Sequence, residues 1–180
     1  MIILASKSPR RKELLSLITD DFTVDSSEVD ETLPSGIEPD KAVEYLSKIK
    51  AQPFRKSGKI VIGADTVVAI DGKILGKPKN EKDAFLMLKN LSGKEHSVFT
   101  GVTVIKNDKE VTFSVQTKVK FFELDDREIE DYILCGEPFV KAGAYGIQGK
   151  GSLFVEKIDG DYFNVVGLPI SRLARQLKSI

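Results

Sequence analysis

The stretch Ile60-Val61-Ile62-Gly63-Ala64-Asp65-Thr66-Val67-Val68 decides how the chain is read. It has the length and β-branched composition of a buried sheet strand, yet Asp65 interrupts it with a charge. A carboxylate in such surroundings is costly unless it is paired, hydrogen-bonded or metal-bound. Strand ends in α/β folds are also where ligands usually sit. Asp65 is therefore either a residue of chemistry or a strand-end carboxylate satisfied by nearby amides.

Working outward, Ile2-Ile3-Leu4-Ala5 reads as a buried first strand. Ser6-Lys7-Ser8-Pro9-Arg10-Arg11 leads from it into a helix with Leu14, Leu15, Leu17 and Ile18 inward. Ser8 suits the N-cap and Pro9 the first helical position. Free N–H groups at a helix start, with Lys7, Arg10 and Arg11 beside them, make an anion site without a glycine-rich loop. Phe22-Thr23-Val24 is a short strand, and the acidic, turn-rich span from Asp25 to Asp40 is a loop that could help hold a divalent metal. A helix from Pro39 carries Ala42, Val43, Leu46 and Ile49 inward, with Lys50 near its end.

After the Asp65 strand, Asp71-Gly72 signals a tight turn, Lys73-Ile74-Leu75 a return strand, and Gly76-Lys77-Pro78 a constrained loop. A helix spans about Asn80 to Leu91. A long hairpin with one wet face follows, from His96 to Ile105 and from Val111 to Phe122. Asp125-Asp126 caps another helix, which ends at Gly136. Lys141 to Gly151 is the glycine-rich part, holding Tyr145 and Gln148. Strands at Leu153–Ile158 and Tyr162–Val166 and a last helix from Pro169 complete an α/β pattern with a mixed sheet.

With 41% hydrophobic and 30% charged residues, 180 residues suit a single folded domain over 1–180, able to bury roughly 70% of its surface. The 27 basic and 27 acidic residues balance, so no bulk field favours nucleic acid. No apolar run is long enough to cross a membrane. The single Cys135 excludes an internal disulfide and a cysteine-based zinc site, and the apolar start is too short for a signal peptide. Both favour the cytoplasm. The lone His96 has no second histidine with which to form a metal site, and reads as structural.

Six segments together resemble the Maf family of nucleoside triphosphate pyrophosphatases, and the resemblance runs from Ile3 to Leu177. They are Leu4 to Arg11, Gly63 to Val68, Gly76 to Pro78, His96 to Val102, Ala142 to Gly149 and Asn164 to Pro169. The resemblance implies a two-lobed mixed-sheet fold like that of the inosine triphosphate pyrophosphatases, with the nucleotide in the cleft between lobes. It implies Mg²⁺- or Mn²⁺-dependent release of pyrophosphate and a nucleoside monophosphate, and a homodimer.

By the same resemblance Asp65 is the general base and Glu31 a metal ligand, while Ser6, Arg10, Arg11, Lys50, Thr66, Lys77 and Gln148 bind substrate. Arg10, Thr66 and Gln148 match the branch acting on dTTP and UTP. The branch acting on 7-methyl-GTP tends to have tryptophan, glutamine and glutamate there. A neutral amide at Gln148 can both donate to and accept from the edge of uracil or thymine.

Two other readings compete. A nucleotide-binding regulator of cell division would use the same cleft without turnover. A phosphomonoesterase of the aspartyl-phosphate type would need a second aspartate at position 67, where Val67 stands.

Overall fold

The computed structural model describes residues 1–180. All four residues of β1 (Ile2–Ala5) are buried, because the strand lies inside the sheet. It runs parallel to β2 (Phe22–Asp25) on one side and to β3 (Ile60–Ile70) on the other. β4 (Lys73–Leu75) returns antiparallel to β3 through the turn at Asp71 and Gly72, both with positive φ. β5 (Glu95–Lys106), β6 (Lys109–Phe121) and β7 (Val155–Asp159) continue antiparallel beyond β3. The result is one seven-stranded mixed sheet in the order β2-β1-β3-β5-β6-β7, with β4 also on β3. This is the mixed α/β architecture expected from the sequence.

The helices cap as their sequences suggest. In α1 (Pro9–Ser16) the Ser8 side chain accepts from the Arg11 N–H, and Asn80 does the same for Asp83 at the start of α3 (Glu81–Leu91). Asp125 and Glu128 form a reciprocal capping box on α4 (Asp126–Leu134). One inward assignment fails: Leu17 follows α1 and is 68% exposed, while Leu14 and Leu15 are buried and Ile18 packs against the same cluster.

One helix sits unusually close to the sheet. A Cβ on Gly63 would fall 2.2 Å from the Ser47 carbonyl, and one on Gly101 2.2 Å from that of Val43. The backbone of α2 (Pro39–Ala51) thus rests directly on the middle of β3 and β5, and only glycine permits it. This packing removes the expected wet face of the hairpin from the second half of β5 (Glu95–Lys106), whereas β6 keeps one at Gln116 and Lys118. From Thr100 to Ile105 β5 is buried without interruption, because α2 covers one face and apolar clusters cover the other.

A second correction concerns Tyr162–Val166, which is a short helix, α5, and not a strand. Asp161 caps it through the Phe163 N–H. The buried Asn164 side chain reaches Val98 O at 3.1 Å and Thr117 Oγ1 at 2.9 Å. A short apolar run of five positions, broken only by Asn164, cannot distinguish such a turn of helix from a strand. α6 (Ile170–Ser179) follows, and no helix is long and apolar enough to cross a membrane.

Two apolar clusters lie along β3. One takes Ile62 and Ala64 with Leu4, Leu14, Val102 and Leu173. The other takes Val68 and Ile70 with Leu88, Val98, Phe121 and Tyr145. Thr66 falls between them on the same face of the strand, and Asp65 beside it points to the other face.

His96 is 3% exposed within the second cluster, with Nε2 2.7 Å from the Tyr145 hydroxyl and its ring edge-on to Phe121. Burial pushes its pKa down to about 4, so the folded protein holds it neutral. Between pH about 6.5 and about 4 the unfolded chain takes up a proton that the folded chain refuses, and stability falls as the pH is lowered. We expect His96→Gln to remove about 2–3 kcal/mol of the stability lost across that window. Urea titrations of parent and variant from pH 7 to pH 4 check this, and parallel curves would contradict it.

Candidate functional site

A break in strand pairing builds the site. On one edge of β3, β1 pairs only as far as Gly63 and β4 only from Val68. The other edge is paired to β5 throughout, Asp65 lying opposite Gly101 and Thr66 opposite Thr100. Residues 64–67 therefore present an open edge in the middle of the strand. Asp65 is not at a strand end, as the sequence suggested, because β3 continues to Ile70. It is at the end of its neighbour, which has the same physical effect.

Successive side chains of a strand point to opposite faces, and at an open edge both faces reach one space. That space is a cleft of about 1030 Å³. On the α2 face, Lys50 Nζ holds Asp65 Oδ1 at 2.5 Å and Glu31 Oε2 at 3.1 Å. No backbone amide bonds Asp65, so the reading of a merely amide-satisfied carboxylate fails. Asp65 Oδ2 has no protein partner and faces a position where a water or ligand can bind.

On the opposite face, Arg11 is fully enclosed. Its Nε donates to Gly167 O at 2.8 Å, one terminal nitrogen to Ser6 Oγ at 3.3 Å and the other to Thr66 Oγ1 at 3.0 Å. A guanidinium has five N–H donors, so one remains on each terminal nitrogen. Burial lowers the Arg11 pKa, and the negative charges of Asp65 and Glu31 act against that shift. Ser6 Oγ also accepts from the Ser8 N–H at 3.2 Å, which leaves its own proton free to donate.

All the residues singled out from the sequence line this cleft: Ser6, Arg10, Arg11, Glu31, Lys50, Asp65, Thr66, Lys77 and Gln148. They do not play equal parts in it. Arg10 and Lys77 make no ion pair within the protein. Gln148 is exposed at the rim. The Thr66 hydroxyl is occupied by Arg11 and Thr100, so it supports the arginine from behind.

The sequence reading gave Lys141 no role, yet it lines the cleft with its Nζ against the Gly146 backbone. Its pKa is lowered by burial and by the neighbouring Arg10. Its place at the head of the glycine-rich stretch was the available signal. The facing of two cations required the fold. That stretch seats on β3 at Gly143, whose positive φ and contact with Val68 exclude a side chain, and whose N–H donates to Gly76 O at 3.0 Å.

No three histidine, cysteine or acidic side chains gather anywhere, so the protein builds no closed metal cage. The two carboxylates that meet at Lys50 suit a Mg²⁺-like ion of another kind. Such ions keep several waters and take one or two carboxylates together with substrate phosphates.

An α/β fold whose open strand edge ranges cations and hydroxyl donors around one carboxylate defines a class of protein, a binder of multiply charged anions. The family model described as Maf-like protein matches residues 1–180, and the chain belongs to that family. It is 52% identical over 180 residues to a dTTP/UTP pyrophosphatase of Bacillus pumilus, covering 99% of this chain and 95% of the relative. It is 55% identical over 179 residues to a dTTP/UTP pyrophosphatase of Bacillus cereus, covering 98% and 94%. Among solved structures it resembles a HAM1 protein from Coxiella burnetii with a TM-score of 0.54, at 11% identity over 99% of this chain and 98% of the other. A Staphylococcus aureus Ham1 protein gives 0.51 at 17% identity, covering 67% and 71%. These likenesses show a shared fold.

The three bonds of Arg11 make it a structural as well as an ionic element. Arg11→Lys keeps the charge but cannot reproduce the fork, leaving buried partners unmatched. A stability loss of about 1–3 kcal/mol is expected in urea unfolding, against no loss if only the charge matters.

Proposed function

We propose that the protein hydrolyses dTTP and UTP to the monophosphate and pyrophosphate, in the cytoplasm and with the help of Mg²⁺ or Mn²⁺. The observation that carries the reading is the open edge of β3, where a carboxylate with a free oxygen and a set of phosphate-binding donors share one cleft. The names of the relatives, at 52% and 55% identity, support the substrate.

A triphosphate carries roughly four negative charges, which must be offset before water can approach its α-phosphorus. The free N–H groups of Arg11, the Ser6 hydroxyl and the Lys77 ammonium would take phosphate oxygens. Glu31, with Asp65 nearby through Lys50, would hold the metal, which when bound adds positive charge beside the phosphates. Lys50 keeps the carboxylate of Asp65 in place through Oδ1, and Oδ2 accepts a proton from water. The water oxygen then bonds to the α-phosphorus as the bridging P–O bond breaks, and that bond's electrons leave with pyrophosphate.

Identifying the products from a panel of nucleoside triphosphates tests the reaction. Orthophosphate and a diphosphate would overturn it. Asp65→Asn should lower turnover by at least about 10²-fold, the lower range for losing a general base, with an unchanged circular dichroism spectrum. Near-normal turnover would remove Asp65 from the chemistry.

The base is read at the rim, where Gln148 has no protein partner. Gln148→Glu replaces a donor by a charged acceptor facing a base carbonyl. Since the position is exposed, the cost falls at the low end for a mismatched polar contact, about 1 kcal/mol, or roughly fivefold in kcat/KM for dTTP. Turnover of 7-methyl-GTP should fall less. An unchanged preference among bases would leave Gln148 as part of a turn only.

A further inference from the structure

We infer that Thr100 is a positioning residue for this reaction, fixing the direction of a hydroxyl chain that orients Arg11 from behind the cleft. The inference rests on the pyrophosphatase reading for its kinetic consequence, though not for its geometry. Thr100 is fully buried on β5, does not line the cleft, and pairs with Thr66 across the ladder. Their hydroxyl oxygens are 2.8 Å apart, and taken alone either could donate.

A third partner removes that freedom. Thr100 Oγ1 lies 2.9 Å from the carbonyl of Asn164, in the last turn of α5. A carbonyl can only accept, and the helix ends too soon to give this one an internal donor. Thr100 therefore spends its single proton on Asn164 and must accept from Thr66. Thr66, its proton spent in turn, must accept from Arg11 at 3.0 Å. The order of donation runs one way, from guanidinium through Thr66 and Thr100 to the carbonyl. A cation at the donor end and a carbonyl at the acceptor end polarise every bond in the same sense.

Arg11 is thus gripped on three sides. Gly167 O and Ser6 hold two of its nitrogens, and the hydroxyl chain holds the third. The two remaining N–H groups, one per terminal nitrogen, keep a fixed direction towards the cleft. Without the Thr100 hydroxyl, the Thr66 proton has no fixed acceptor. It can turn towards Arg11, and the third grip loosens.

Thr100→Val keeps the shape and removes the hydroxyl, whereas Thr100→Ser keeps the hydroxyl. With dTTP, Thr100→Val should lose about tenfold or more in kcat/KM, and Thr100→Ser should stay within about threefold of the parent. Thr66→Val cuts the same chain, so the double variant should be no worse than the poorer single one. The ¹⁵N–¹H signals of the Arg11 guanidinium give a readout that needs no activity. They should be resolved in the parent and in Thr100→Ser, and broadened in Thr100→Val. Should Thr100→Val not fold, Thr100→Cys, with its weaker donor, replaces it.

Unchanged kinetics and guanidinium signals in Thr100→Val, or losses that multiply in the double variant, would overturn the inference. A parent inactive on dTTP whose Arg11 signals still respond to Thr100→Val would instead overturn the assigned reaction and leave the hydroxyl chain standing.

Discussion

Everything functional in this fold depends on four residues of β3 that lack a neighbour on one edge. Sheets normally satisfy both edges of a central strand, and an unpaired stretch in mid-sheet leaves backbone groups needing other partners. Here β1 stops at Gly63 and β4 begins at Val68, and the gap becomes a cleft that reaches both faces of the sheet. The acid-base half of the site, Asp65 with Lys50 and Glu31, comes from one face. The anion-binding half, with Arg11 and Ser6, comes from the other.

Such an opening needs a rigid frame, and close packing on the paired side provides it. The backbone of α2 lies against Gly63 and Gly101, flanking the Asp65 position on the two strands. Ser47 on that helix is fully buried and hydrogen-bonded to Thr103 at 2.9 Å, which ties helix to sheet by a polar contact as well as by shape. Lys50 projects from the last turn of the same helix, so the frame that stiffens the strand also aims the cation. A network at the outer end, where Glu110 meets Lys48 at 2.7 Å and also Arg55, secures the segment after α2 to β6.

Burial divides the charged groups by use. Arg11 is enclosed and therefore fully hydrogen-bonded on its inner side, as a buried cation must be. Arg10, Lys77 and Lys141 lack such partners and stay nearer to solvent at the cleft wall. The first can serve as a fixed template and the others as adaptable charges. The lysine stem suits that second task, and the planar arginine fork suits the first.

Most of the elements were legible because their signals are local. Caps such as Ser8, Asn80 and Asp125, the Asp71-Gly72 turn and the apolar periodicity of α2 and α3 each depend on residues within a few positions. The identity of Asp65 as the anomaly in its strand was equally plain. What the sequence could not contain was the pairing that stops short, since strand partners are chosen by the whole sheet. Nor could it show the partners of Arg11, which lie 55 and 156 residues away at Thr66 and Gly167. The α5 segment was misread for the same reason, because its five residues take their conformation from the Asn164 contacts with β5 and β6. Side-chain chemistry, local periodicity and caps were determined by sequence alone. Which of those side chains face one another was decided only by tertiary structure, through hydrogen bonds and packing between residues far apart in the chain.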